Sequence, residues 1–415
     1  MDSKNFPVDF YVKALVRYFD AIQYHDDNFS HAERVTNLRY VYAETAKYFA
    51  QPTQQAAIKA KPARLNAVMR TSAQVVVYCW TKVSLDVMVA VSVYFVHIVL
   101  LDDTTNNPAP EMETFCNDLV HGKKQKHPFW MLMNAFLPKC LSHYGGYCGL
   151  SIMRSTFDYF QGCWVEQHDF HGYAGSEYFP LYLRRLNGLG AICGGSLFPS
   201  EDFDEEALFP QISTAIAEIE PPVAFVNDLM SFYKEYSNPR DQVNLVTNCC
   251  AVEGISVQES FDRLTEDTIR SSLRVIEVLD DKDPKVAETI RAFVQGYVTW
   301  HFCDERFRMR EVYERCDDSS DGLKFRHYYE KAMAVGTIDF EEWAVWPPVD
   351  GSPSGELNGS GGLNGLDTPL AGVNGSSKLT GLEANGCASA LVGDMNGFVS
   401  SLAEDTGVIT PPASI

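Results

Sequence analysis

Asn227, Ser231 and Glu235 fall at i, i+4 and i+8 in the run Asn227-Asp228-Leu229-Met230-Ser231-Phe232-Tyr233-Lys234-Glu235. On an α-helix that spacing stacks three oxygen-bearing side chains down one face. An amide, a hydroxyl and a carboxylate are hard donors of the kind that magnesium prefers. Leu229, Met230, Phe232 and Tyr233 occupy the other faces and can pack. The plain alternative is a solvated polar stripe on an amphipathic helix. Choosing between the two depends on whether the chain supplies a second acidic cluster and matching cations.

Both are present. Asp102 and Asp103, with Asn106 one turn beyond Asp102, close a long apolar run. Adjacent carboxylates at such a place are costly unless they reach water or a cation. Asp near a helix C-terminus also opposes the helix dipole, which favours a bound positive charge. An ordinary helix end at the surface is the competing reading. Lys234 stands beside Glu235, Arg184-Arg185 follow a Pro-containing loop, and Arg306 and Arg308 lie near the end of the last long helical pattern. Two oxygen clusters and several cations together suit a diphosphate, whose charge metals and bidentate arginines neutralise.

These groups need helices to hold them. Apolar residues recur at helical spacing over about 8–24, 32–50, 150–167, 211–236, 256–279, 285–311 and 323–335. Residues 62–101 predict two long apolar helices. Strand-like alternation is scarce, so the body reads as all-α, with long helices around one core. Pro221-Pro222 precede the polar stripe and are expected to reset or kink its helix.

Hydrophobic content of 46% and aromatic content of 12% support a large core, and a net charge of −21 makes nucleic acid a poor partner. The eleven cysteines include no CxxC pair and lie scattered in apolar segments, as in a reduced, intracellular, cytoplasmic protein. The N-terminus has no signal-peptide h-region. The most apolar run, Val87 to Leu101, falls short of the roughly 20 residues that span a bilayer, so no membrane anchor is expected. Beyond Trp346-Pro347-Pro348 the chain turns rich in Gly, Ser and Asn and repeats Asn-Gly five times. Two regions are therefore expected: a folded body over 1–347, and a low-complexity, disordered tail over 348–415.

The pairing of Asp102-Asp103 with Asn227, Ser231 and Glu235 resembles the two metal motifs of class I terpene cyclases. The runs Asn227 to Glu235, Arg184-Arg185-Leu186-Asn187-Gly188-Leu189-Gly190, Gly296-Tyr297-Val298-Thr299-Trp300-His301 and Gly162-Cys163-Trp164-Val165-Glu166-Gln167 are similar to the fungal trichodiene synthase family. That resemblance spans about residues 5 to 347. It implies a helical bundle around a deep apolar pocket, and a sesquiterpene synthase acting on farnesyl diphosphate. It further implies three magnesium ions held by Asp102, Asp103, Asn227, Ser231 and Glu235, with Arg184, Lys234 and Arg306 bonding the diphosphate. Phe95, Tyr159, Tyr297 and Trp300 become candidates for contact with the prenyl chain and its cations, against a competing role in core packing. The family often forms homodimers, which nothing else in the sequence indicates.

The chain departs from the family pattern in places. Asn106 replaces the usual aspartate, Phe307 replaces the tyrosine after Arg306, and Glu305 replaces a basic residue. Tyr159 stands where phenylalanine is usual, and Phe95 where tyrosine is. The resemblance therefore implies retained diphosphate chemistry with an altered wall, and a product other than trichodiene itself. Candidate products are a related hydrocarbon or an alcohol of longiborneol or brasilane type. Two other readings remain: a squalene-type coupling enzyme, which would need a second aspartate-rich cluster, and a catalytically silent helical protein that binds a prenyl ligand or a partner.

Overall fold

A computed structural model describes residues 6–58, 60–104, 114–126, 128–236, 243–338 and 343. Among them are sixteen α-helices, a 3-10 turn and no strand, so the all-α reading holds. The helices run α1 (Val8–Ala21), α2 (His31–Phe49), α3 (Pro52–Ala57), α4 (Pro62–Cys79), α5 (Leu85–Thr104) and α6 (Phe115–Val120). Next come α7 (Pro128–Leu141), α8 (Gly146–Gln167), α9 (Phe179–Asn187), α10 (Gly190–Gly195) and α11 (Phe209–Tyr236). The last are α12 (Leu245–Glu253), α13 (Val257–Glu277), α14 (Pro284–Cys303), α15 (Met309–Arg315) and α16 (Ser320–Ala334). Asn106 and the tail placed at 348–415 lie outside the described residues.

Helix starts follow local chemistry. Ser30 and Glu33 form a reciprocal capping box at α2. Asp283 accepts from the amides of Lys285 and Val286, with Pro284 opening α14. The Glu205 carboxylate accepts from Tyr147 and Cys148, which satisfies the first amides of α8 from another part of the chain. α5 is buried on nearly every side and packs on α4, α2 and α7. No helix among the described residues is long and apolar enough to cross a membrane.

Two expectations need correction. The helix predicted over about 285–311 ends at Cys303, because Asp304 turns extended and its carboxylate caps a 3-10 turn over Glu305–Phe307. Arg308 then takes a left-handed backbone, with φ +58°, before α15 starts. Arg306 therefore sits on a capped turn and not on the helix. The prolines, by contrast, do not reset α11, which runs through Pro221 and Pro222 as one 28-residue helix. Prolines cannot donate a backbone bond. One residue past them, the Tyr297 hydroxyl donates to the Val223 carbonyl at 3.2 Å and binds this stretch to α14.

α14 is the central post. A buried pair, Arg34 and Asp26, meets at 2.9 and 3.1 Å, and Asp26 also accepts from the Thr299 hydroxyl of α14 at 2.7 Å. The Arg34 guanidinium lies over the Tyr78 ring of α4 at 4.9 Å. α14 and α4 cross so closely that a Cβ on Gly296 would stand 1.8 Å from the Tyr78 carbonyl oxygen. Glycine is thus the only residue that allows this crossing. Gly296→Ala is expected to destabilise the protein by about 3 kcal/mol, the upper end for overpacked cores, measured by urea unfolding; an unchanged midpoint would refute the crossing.

Candidate active site

The polar stripe on α11 is partly withdrawn from water: Asn227 and Glu235 are half-buried, and Ser231 between them is buried. Ser231 is 1% exposed and Asp228 4%. The cause is α9, α13 and α14, which cover this length of α11. Arg184 lies in the last turn of α9 and closes that helix; the Pro-containing stretch before it is the start of the helix and not a loop. Its Nε donates to Asp228 Oδ2 at 2.6 Å, and its two terminal nitrogens donate to Asn187 Oδ1 and Asn227 Oδ1, each at 3.0 Å. A fourth acceptor, the Ala224 carbonyl, lies at 3.4 Å. Asn187 in turn donates to Glu166 of α8.

Burial pushes the Asp228 carboxyl up to about 6, against the lowering effect of Arg184 and with a further push from Glu235. Burial also works against the Arg184 charge, but the neighbouring Asp228 carboxylate raises the guanidinium above its usual value. Lys234 lies 4.0 Å from Glu235. Arg306 lies close enough to His301 to help depress it, after the larger effect of burial; the ring is lowered to about 3 and is neutral. His301 Nε2 faces Asn227 Nδ2 at 3.2 Å, and its Nδ1 faces the Tyr297 carbonyl at 2.7 Å.

A run of aromatic rings leads away from this polar end. Phe95 meets Trp80 edge-on at 5.5 Å, and Trp80 meets Phe293 edge-on at 5.4 Å. Phe293 stacks on Tyr297 at 5.5 Å, and Tyr297 on Trp300 at 5.6 Å. Phe307 is fully buried against Trp300 at 4.9 Å and His301 at 4.3 Å. Where the family pattern has a phenol, this chain thus has a packing group. Tyr159 is buried on α8, one turn from Thr156, whose hydroxyl is bonded to Tyr94 of α5 at 2.7 Å.

The structure links Arg184, Asn227 and His301 by hydrogen bonds, sets Ser231, Lys234 and Glu235 further along α11, places Arg306 near His301, and reaches Tyr297, Trp300 and Phe95 through a chain of ring contacts. Asp102 and Asp103 fall in the last turn of α5, as expected; the positions of their side chains lie outside what the structure describes. The open surface depressions along Ser256–Arg270 and at residues 200–206 include none of these residues. Sequence reasoning gave no role to Asp228, Asn187, Glu166, His301, Trp80 or Phe293. Two signals were available: Asn187 lies three residues after Arg184, and His301 four after Tyr297, each on the same helical face.

The donor set fits a hard metal ion. The Ser231 hydroxyl is buried and has no hydrogen-bond partner. A buried hydroxyl left without a bond is costly, and this one stands one turn from Asn227 and one from Glu235. Asn227 Oδ1 keeps a second lone pair beside the bond from Arg184.

The family model of trichodiene synthase matches residues 5–358. The chain belongs to the trichodiene synthase family. A terpene cyclase of Penicillium brasilianum is 51% identical over 345 residues, 83% of this chain and 85% of that protein. The trichodiene synthase of Stachybotrys chartarum is 46% identical over 346 residues, covering 83% and 90% of the two chains. That of Fusarium sporotrichioides is 44% identical over 348 residues, covering 83% and 93%. Membership places the chain among the terpene cyclases and sets aside the coupling-enzyme reading.

The Arg184–Asp228 pair gives a stability test. Asp228→Ala strands a guanidinium whose side chain is 13% exposed. The expected loss is about 3–5 kcal/mol in urea unfolding, and Arg184→Met in the same background should recover part of it. A loss under about 1 kcal/mol would mean that water already screens the pair.

Proposed function

We propose that the chain is a sesquiterpene synthase that ionises farnesyl diphosphate with magnesium and cyclises the resulting cation, a carbon–oxygen lyase. One observation carries the proposal: the unpartnered, buried Ser231 hydroxyl lies between Asn227 and Glu235, beside a buried arginine and at the head of an aromatic run. A solvated stripe would have no reason to bury that hydroxyl without a bond.

Asn227, Ser231 and Glu235 are the proposed ligands on one side, and Asp102 and Asp103 on the other, for three magnesium ions. Magnesium, when bound, supplies positive charge against the departing diphosphate. Arg184, Lys234 and Arg306 donate hydrogen bonds to the diphosphate oxygens. Arg184 is already aimed by Asp228 and Asn187, so little reorganisation accompanies bond breaking. The C–O bond of the substrate breaks, its electron pair leaves on the diphosphate, and the prenyl chain is left as an allylic cation. Tyr297, Trp300 and Phe95 offer ring faces to that cation and keep water from it.

The product is proposed to be a cyclic hydrocarbon or alcohol other than trichodiene, because Phe95, Tyr159 and Phe307 alter the wall. Family membership supports the reaction class and leaves the carbon skeleton open. Homodimerisation and a cytoplasmic location are part of the same proposal.

Incubation of the purified protein with farnesyl diphosphate and magnesium should release diphosphate and give a volatile product by gas chromatography–mass spectrometry. The absence of any volatile from farnesyl, geranyl or geranylgeranyl diphosphate would sink the proposal. Asn227→Leu and Glu235→Ala should each lower turnover at least about a hundredfold, on the scale of lost electrostatic stabilisation, with an unchanged circular dichroism spectrum. Turnover near that of the unaltered protein would reject them as ligands.

A further inference from the structure

His301 is buried at the end of α14, within ring contact of Tyr297, Trp300 and Phe307. Core packing would account for the ring, but not for the direction of its bonds. Nδ1 lies 2.7 Å from the Tyr297 carbonyl oxygen. A carbonyl oxygen can only accept, so Nδ1 carries the proton. Arg184 Nη2 can only donate, so the Asn227 atom it meets at 3.0 Å is Oδ1 and the amide NH2 turns to Nε2; Nε2 therefore accepts and is the bare nitrogen of the ring. The group facing it at 3.2 Å is the Asn227 amide, and that amide must present its NH2 to be bonded.

The consequence falls on the other end of the amide. With Nδ2 turned to His301, Oδ1 turns to the Arg184 side, where Nη2 donates to it at 3.0 Å. A flipped amide would set oxygen against the imidazole lone pair and NH2 against the guanidinium N–H. Both contacts would be repulsive, so two independent neighbours select one orientation.

We infer that His301 is a positioning residue that locks the Asn227 amide with its oxygen, the ligand atom, on the Arg184 side. The inference rests on the proposed metal role of Asn227. The Tyr297 backbone carbonyl is the anchor: it sets the tautomer, the tautomer sets the amide, and the amide sets which atom a cation meets. Partners of ligands in this position typically change metal affinity about 10- to 100-fold when lost.

The test uses the full chain with magnesium and inorganic diphosphate and reads thermal stabilisation against magnesium concentration, with no turnover involved. His301→Phe keeps an aromatic ring but removes the acceptor. It should raise the magnesium concentration for half-maximal stabilisation by about tenfold or more. Asn227→Asp makes both ends of the head group oxygen, so orientation no longer matters. Added to His301→Phe, it should bring the midpoint back to within about threefold of Asn227→Asp alone. Should phenylalanine crowd the core, His301→Met also lacks an acceptor nitrogen and carries the same expectation. An unchanged midpoint in both His301 variants overturns the inference. A shift that Asn227→Asp fails to reverse assigns His301 to packing and also overturns it. If the unaltered protein shows no stabilisation by magnesium with diphosphate, the metal role of Asn227 falls first and this inference with it.

Discussion

A guanidinium taken out of water must find acceptors for its N–H groups, and that requirement on Arg184 organises the centre of this protein. Asp228 and Asn227 come from α11, Asn187 from its own helix, and Glu166 of α8 holds Asn187 in place. Three helices are thereby held in register by one planar group with fixed donor directions. Asp228 stays beside Arg184 although burial raises its pKa. Burial is the larger effect on this carboxyl, and the close, filled fork of Arg184 offsets only part of it. Asn227 and Asp228 of α11 are thereby fixed against α9.

Much of this could be read from the chain, and the reasons are local. The face formed by Asn227, Ser231 and Glu235 depends only on helical period, which spacing encodes. The long apolar helices α4 and α5 follow from composition. The tertiary partners were not legible. Nothing in the run around Asp228 says that its carboxylate turns to α9 and not to solvent, because that choice is made by how α9 packs on α11. The stretch before Arg184 reads as a loop because Pro180 resembles a break, whereas Pro180 stands at N1 or N2 of α9, where proline is tolerated.

The end of α14 failed for a different reason. Glu305, Arg306 and Phe307 all suit a helix, and their periodicity continues the pattern before them. The stop comes from the Asp304 side chain, which accepts the Arg306 amide at 3.0 Å and competes with the helix for that donor. Pro221 and Pro222 misled in the opposite direction. Their propensity argues for a break, but packing of α10 and α13 along α11 overrides it. A close approach shows how tight that packing is: a Cβ on Gly190 would stand 2.6 Å from the Glu220 Cα.

Asp304 uses its two oxygens on two different tasks. One receives the Arg306 backbone amide, and the other receives the indole N–H of Trp300 at 3.2 Å. The turn that carries Arg306 and the Trp300 ring are therefore one mechanical unit. A change at Trp300 thus disturbs the turn, and a change in the turn disturbs Trp300. Phe95 on α5 and Tyr159 on α8 lie on other elements, and they are positions where this chain has left the habits of its family.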